Sequence, residues 1–323
     1  MVSATTPRSD GIIAQRVVRI GTRGSRLALA QARWVKAALE ACWPGVQPEL
    51  VTIVTSGDRL PGSLARSGGK GLFIKEIEEA LLAERVDCAV HSMKDLPTTI
   101  GSGLVVSAVP ERADARDVLV GPPGCRGVAD LPPRASVGTA SLRRRAQLLA
   151  ARRDLSIVEL RGNVDTRLRK QAEGTYDGVV VAAAGLLRLG LSAVGGTCLD
   201  SEQFVPAVGQ GALALEAREV DAEMRRMLAV LNDRAAERAV TAERAFLRVL
   251  GGDCATPIAA YGQLGGDTLR LIGLVATTDG ATVLRGTVSG PSDGAEELGR
   301  ALAVRLKAQG ADDVLASVRA ERR

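Results

Sequence analysis

Histidine is nearly missing from this chain, with His91 alone among 323 residues. A single imidazole, and no Cys-x-x-Cys among Cys42, Cys88, Cys125, Cys198 and Cys254, argue against a zinc site, so no metal is expected. No Ser-His-Asp triad can be assembled by spacing either, because the nearest acid to His91 is Asp95 in the same turn. The cysteines are odd in number and widely spaced, which excludes a disulfide framework and fits a reducing compartment. Aromatic residues number only seven, leaving few platforms on which bases could stack, so the net charge of +5 does not make a nucleic-acid binder. No run approaches the roughly 20 uninterrupted apolar residues of a membrane helix. Residues 1–16 lack the apolar core of a signal peptide and read as a disordered leader on a cytoplasmic protein. Lysine is scarce as well, six against 36 arginines. The planar guanidinium suits bidentate capture of carboxylates or phosphates, although genomic composition accounts for arginines outside the motifs below.

What is present is ample apolar material, 46% of the chain, and a length that predicts two or three domains. Val17 to Ile20 reads as a strand, and Gly21-Thr22-Arg23-Gly24-Ser25 as a turn delivering it into a helix over 26–39 that Ser25 caps. A strand over 50–55, a helix over 72–84 with Phe73, Ile77 and Leu81 on one face, and strands over 88–90 and 104–109 follow. A turn-rich zone around Gly121-Pro122-Pro123-Gly124 and Leu131-Pro132-Pro133 marks a boundary. The pattern then restarts: strand 135–137, Gly138-Thr139-Ala140-Ser141, helix 142–152, strand 156–160, helix to 172, strand 179–184 and a short helix. Two similarly built lobes with mostly parallel sheets are expected. A strand over 212–216 returns to the first lobe, a long helix spans 234–250, and the remainder forms a small α/β unit of its own.

Three groups of residues carry candidate chemistry. His91-Ser92-Met93-Lys94-Asp95 lies at a strand exit, where an open α/β sheet holds its ligands, and places a carboxylate beside a cation. Ser141-Leu142-Arg143-Arg144-Arg145 puts three cations at a helix N-terminus, the end the macrodipole disfavours for them; an anion held between the amides and the guanidiniums would explain them. Arg161-Gly162-Asn163-Val164-Asp165-Thr166-Arg167, Arg188 and Arg23 lie at comparable strand ends. Together they point to a polyanionic ligand between the lobes. Ser67-Gly68-Gly69-Lys70-Gly71 lacks the P-loop spacing and is read as a mobile lid in preference to a phosphate cradle. Cys254 follows a helix on a glycine-rich loop, which leaves open both a structural thiol and a nucleophilic or attachment role.

These motifs, with Leu160-Arg161-Gly162-Asn163, Pro206-Ala207-Val208-Gly209-Gln210-Gly211 and the Gly-x-Cys254 loop, occur in the order of one family, and from Val17 to about Ala316 the chain resembles the porphobilinogen deaminases, also called hydroxymethylbilane synthases. The resemblance implies two lobes like those of periplasmic binding proteins plus a third domain carrying the cysteine. The implied division is a first lobe over 17–111 and 212–229, a second over 117–205 and a third domain over 234–323. It implies a monomeric, cytoplasmic transferase that condenses four porphobilinogen molecules, releasing ammonia, into a linear tetrapyrrole for porphyrin or heme synthesis. One dipyrromethane per chain would be held in thioether linkage by Cys254. Asp95 matches the catalytic carboxylate, suited to stabilising the cation left when the amine departs. Lys94, Asp95, Ser141, Arg143 and Arg144 match cofactor-binding positions; Arg23, Ser25, Ser92, Arg161, Arg167 and Arg188 match positions that hold the substrate and the growing chain. Arg66, Gly68, Gly69 and Lys70 belong to the flexible loop. Arg66 stands where relatives often carry lysine, and Asp165 and Asp253 each replace a glycine. The rival from another class is a non-catalytic two-lobed binding protein for an anionic metabolite, which predicts an unmodified Cys254.

Overall fold

The structure, a computed structural model, describes residues 16–59, 74–253 and 256–321. The leader, the glycine-rich loop with Arg66, Gly68, Gly69 and Lys70, and Cys254 lie outside the described residues. In chain order the elements are β1 (Arg16–Thr22), α1 (Arg26–Cys42), β2 (Val46–Thr52), α2 (Ser56–Arg59), α3 (Lys75–Leu82), β3 (Cys88–Ser92) and β4 (Leu104–Ala108). Next come β5 (Asp117–Val120), β6 (Ser136–Gly138), α4 (Leu142–Ala151), β7 (Ser156–Val158), α5 (Val164–Ala172), β8 (Gly178–Ala182), α6 (Ala183–Arg188) and β9 (Thr197–Cys198). The chain ends with β10 (Leu213–Arg218), α7 (Ala222–Ala229), α8 (Arg234–Leu250), β11 (Ile258–Gly265), β12 (Thr268–Ala276), β13 (Val283–Pro291), α9 (Ala295–Ala308) and α10 (Ala311–Ala320).

Two five-stranded sheets share one plan. The first runs β2-β1-β3-β10-β4 and the second β7-β6-β8-β5-β9. In each, three strands pair in parallel, and the fourth, antiparallel, is the strand that has just crossed from the other lobe: β10 beside β3, β5 beside β8. The parallel part is buried on both faces, as such strands require. Val18, Ile20, Val90 and Leu215 meet Val35 and Leu39 of α1 and Met227 of α7 on one side, and Ile77 and Leu81 of α3 pack with Ala89 on the other. Val137 and Val180 pack with Leu148 of α4 in the second lobe. A three-stranded antiparallel sheet, β11-β12-β13, with α8, α9 and α10 forms the third unit around Phe246, Leu271 and Leu302.

That third unit touches both lobes. Ala236 and Val240 of α8 share a cluster with Met93 and Leu96, while Ala259, Ile272 and Leu274 share one with Ala146 of α4 and Val205. The β2 strand runs four residues earlier than its apolar pattern suggests, pairing residue for residue with β1 from Val46. Pro48 obscures it in the sequence and is tolerated because β2 is an edge strand. The four-residue β5 and the β11 strand just after Pro257 are likewise too short or too close to turn formers to be read from periodicity.

Candidate functional site

A cleft of about 1110 Å³ opens between the lobes, at the ends of β1, β3, β6 and β8. Arg23, Ser25, Ser92, Lys94, Asp95, Ser141, Arg144, Arg161, Arg167 and Arg188 all line it. Its walls are built by the two Gly-Thr turns. Ser25 accepts a hydrogen bond from Ala28 N at 3.2 Å and Ser141 one from Arg144 N at 3.4 Å, so each hydroxyl starts its helix at the cleft edge.

Asp95 ends a single 3₁₀ turn, Met93–Asp95, directly after β3. Met93 and Leu96 are buried on either side and anchor that turn, while the Asp95 carboxylate is exposed to the cleft and makes no hydrogen bond or ion pair among the described residues. Lys94 Nζ donates to Gln210 Oε1 at 3.4 Å. Burial pushes its ammonium down to about 8, with Arg144 and Arg143 repelling it and Asp95 and Asp117 pulling the other way. The Gln31 side-chain amide and the Ser92 hydroxyl exchange hydrogen bonds of 2.9 and 3.2 Å, fixing Ser92 from α1.

The arginines fall into two sets. Arg23 pairs with Asp58 at 2.5 Å and Arg161 with Glu159 at 2.6 Å. Arg167 donates to Gly162 O at 2.9 Å and Arg188 to Gly211 O at 2.8 Å, and neither has a carboxylate partner among the described residues. Burial brings both guanidiniums down to about 10, helped for Arg167 by repulsion from Arg144 and Arg161. They stay protonated at neutral pH, so the cleft wall presents half-buried positive charge.

One expectation changes. Arg143 does not line the cleft: its Nη1 turns back to Asp117 Oδ2 at 2.7 Å and to Val205 O at 2.9 Å, and its charge is met by a fully buried carboxylate inside the lobe. The helix-start arginines therefore owe part of their stability to an internal anion rather than to a ligand. His91, the scarcest residue, is structural. Its Nε2 lies 3.0 Å from Glu216 Oε2 of β10, with both side chains buried in the first lobe.

Asp117, Gln31 and Arg145 escape the sequence reading. Arg145 lines the cleft beside Arg144 and belongs to the same three-arginine run, so only its role was missed. Nothing local marks Asp117 or Gln31, which reach their partners across the fold.

The family described as "Porphobilinogen deaminase, dipyromethane cofactor binding domain" matches residues 18–226, and "Porphobilinogen deaminase, C-terminal domain" matches residues 237–308. Relatives named porphobilinogen deaminase include those of Syntrophobacter fumaroxidans, 48% identical over 95% of this chain and 99% of that one, and of Syntrophotalea carbinolica, 50% identical over 95% and 97%. That of Syntrophus aciditrophicus is 51% identical over 90% of this chain and 94% of its own. Among solved structures, the chain is similar to the periplasmic aliphatic sulphonate binding protein SsuA from Escherichia coli, with a TM-score of 0.39, 19% identity, and 72% and 70% of the two chains covered.

Proposed function

The chain belongs to the porphobilinogen deaminase family, and from that premise we propose how its cleft performs the family's reaction. It is a transferase that condenses four porphobilinogen molecules, with release of ammonia, into the linear tetrapyrrole hydroxymethylbilane, and its cofactor is a dipyrromethane. The observation that carries our reading of the site is the pair of half-buried guanidiniums of Arg167 and Arg188, without a carboxylate partner among the described residues, lining one cleft with Asp95. Each pyrrole of this pathway bears two carboxylates, so such a wall fits both cofactor and substrate.

The covalent dipyrromethane supplies the pyrrole carbon to which the first substrate unit is joined. Asp95 is the catalytic group. Its carboxylate, free at the cleft edge, stabilises the positive charge that develops on the substrate pyrrole as the C–N bond breaks and carries the proton lost when the new C–C bond forms. Lys94, Ser141 and Arg144 hold the cofactor's acid side chains; Arg23, Ser25, Ser92, Arg161, Arg167 and Arg188 hold those of substrate and growing chain. Cys254, four positions after the last residue of α8, is the attachment point. The division into lobes at 17–111 with 212–229 and 117–205, and a third domain at 234–323, serves this scheme by placing the thiol on a unit that touches both walls. No helix among the described residues is long and apolar enough to cross a membrane. By the family resemblance we propose a cytoplasmic monomer, and the scarcity of aromatic residues supports no nucleic-acid partner.

The test is intact mass followed by turnover. Purified protein should carry one dipyrromethane, Cys254→Ser should lose that mass, and Asp95→Asn should fold yet lower turnover of porphobilinogen by about 10²-fold or more. An unmodified thiol in fully active protein would overturn the scheme.

A further inference from the structure

The start of α4 conceals a buried network whose centre, Asp117, has no part in the reaction scheme. Asp117, at the first position of β5, is fully buried. Its Oδ2 accepts from Arg143 Nη1 at 2.7 Å; its Oδ1 accepts from Arg144 Nη2 at 2.7 Å and Nε at 3.1 Å, and from Gln210 Nε2 at 2.9 Å. Gln210 turns its other end to Lys94, whose Nζ donates to Oε1 at 3.4 Å. One continuous chain of contacts thus runs from the residue beside Asp95 in the first lobe, through the return crossing, to the helix of the second lobe that supplies Arg144.

Charge balance gives that chain its consequence. Lys94, Arg143 and Arg144 bring three positive charges, Asp117 one buried negative charge and Asp95 another at the cleft edge. One positive charge is left over for a ligand carboxylate, and on α4 it is expressed through Arg144, because Arg143 is turned away from the cleft. Without Asp117 the two guanidiniums would repel each other and Lys94 with nothing between them.

We propose that Asp117 is a positioning residue of the condensation: it fixes Arg144 as the carboxylate receptor of the cleft and, through Gln210, keeps Lys94 protonated and aimed beside Asp95. This rests on the reading of the cleft as the pyrrole site. The electrostatics agree with the geometry. Burial alone would raise the Asp117 carboxyl, yet Arg143 and Arg144 hold it far below the usual carboxylate range. The charged groups facing Lys94 are Asp95 on its own turn, Arg143 and Arg144 on α4 and Asp117 on β5, and burial together with the arginines already brings it down to about 8. Removing the Asp117 charge leaves Asp95 alone to oppose the repulsion and lowers Lys94 further.

The test is the pH dependence of kcat for the cofactor-loaded enzyme. Unaltered protein should lose activity as pH rises through about 8, where Lys94 deprotonates. In Asp117→Asn that alkaline limb should move to lower pH by half a unit or more, on the order of a twofold to tenfold loss at a fixed pH near 8, with KM changing less than kcat. A residue that only supports the fold would lower thermal stability and leave the limb in place, so a folded, loaded Asp117→Asn with an unmoved limb overturns the proposal. Asp117→Asn strands two buried guanidiniums and can fail to fold. The same comparison is therefore made in an Arg143→Gln background, which removes one charge of each sign. There the limb of the double variant should lie below that of Arg143→Gln alone, and coincident limbs overturn the proposal. If unaltered, loaded protein does not consume porphobilinogen at all, the reaction assignment fails instead, independently of these shifts.

Discussion

Lys94 lines the cleft beside Asp95, where burial disfavours its charge. Its ammonium titrates at about 8 in the folded protein, below the unfolded value near ~10.4, because burial disfavours the charge. A depressed lysine pKa means the unfolded chain binds the proton more tightly between those values, so this group makes stability rise with pH from about 8 to about 10 and weakens the fold below that window. Lys94→Met should then raise the melting temperature at pH 7 by about 2 °C, on the order of 1 kcal/mol after screening, while cutting kcat at least tenfold. Thermal melts and turnover on one preparation check it, and a lowered melting temperature would contradict the account. Asp117 gives the same direction with pH for the opposite reason, since in its case the fold favours the charged form. Its folded pKa is depressed, so its contribution is present above about pH 4 and lost as pH falls below. At this scale the sequence exposes Asp95 and Lys94 because both belong to one contiguous motif. It misleads at Arg143, because the compensating anion is Asp117, 26 positions away in a strand too short to notice.

Among the elements, α8 matches its sequence reading end to end, Arg234–Leu250, with Asp233 capping its start and Gly251 left-handed at φ 64° after its last turn. The apolar period that reveals the helix says nothing about what its polar residues clasp. Glu243, fully buried, accepts from Arg112 at 2.6 and 3.1 Å, from Gly209 N at 2.6 Å and from Gly262 N at 2.8 Å, tying both interlobe crossings to the third unit. One turn face over, Arg244 donates to Leu96 O at 3.2 Å and Pro97 O at 2.6 Å, the two carbonyls directly after Asp95. Helix α8 therefore also grips the turn that carries Asp95. Arg244→Met removes both donors and should reduce kcat about tenfold, since small misplacements of a reacting group are costly. Cofactor mass should be retained, and Arg244→Lys, which can reach one carbonyl but not bridge two, should recover only part of the rate. Equal rates in all three proteins would show that α8 does not hold the Asp95 turn.

Across the whole molecule the lobes are tied at the back and bridged at the front. Behind the cleft the third unit packs on α3-side residues of the first lobe through α8, and on α4 through the β12–β13 turn. There Gly280 at φ +67° comes so close that a Cβ would lie 2.4 Å from Ala146 O. At the mouth, Arg26 at the start of α1 reaches Asp165 of α5 at 2.7 Å. This bridge joins α1 to α5 across the cleft that both residues line. An exposed pair contributes only about 0.2–1 kcal/mol, enough to shift an open-to-closed ratio by up to about fivefold and too little to lock it. A latch of that strength suits a cleft that admits four substrates in turn, since a stronger one would slow opening. Asp165→Asn should therefore lower interlobe energy transfer between dyes on α1 and α5 in the substrate-free enzyme, and raise KM about twofold to fivefold with kcat unchanged. Raising salt from about 0.05 to about 0.5 M, which shortens the screening length to a few ångströms, should bring unaltered protein toward the variant's signal while the variant responds less. If both proteins give the same signal at low salt, the bridge does not hold the lobes together, and the hinge crossings alone set the resting width of the cleft.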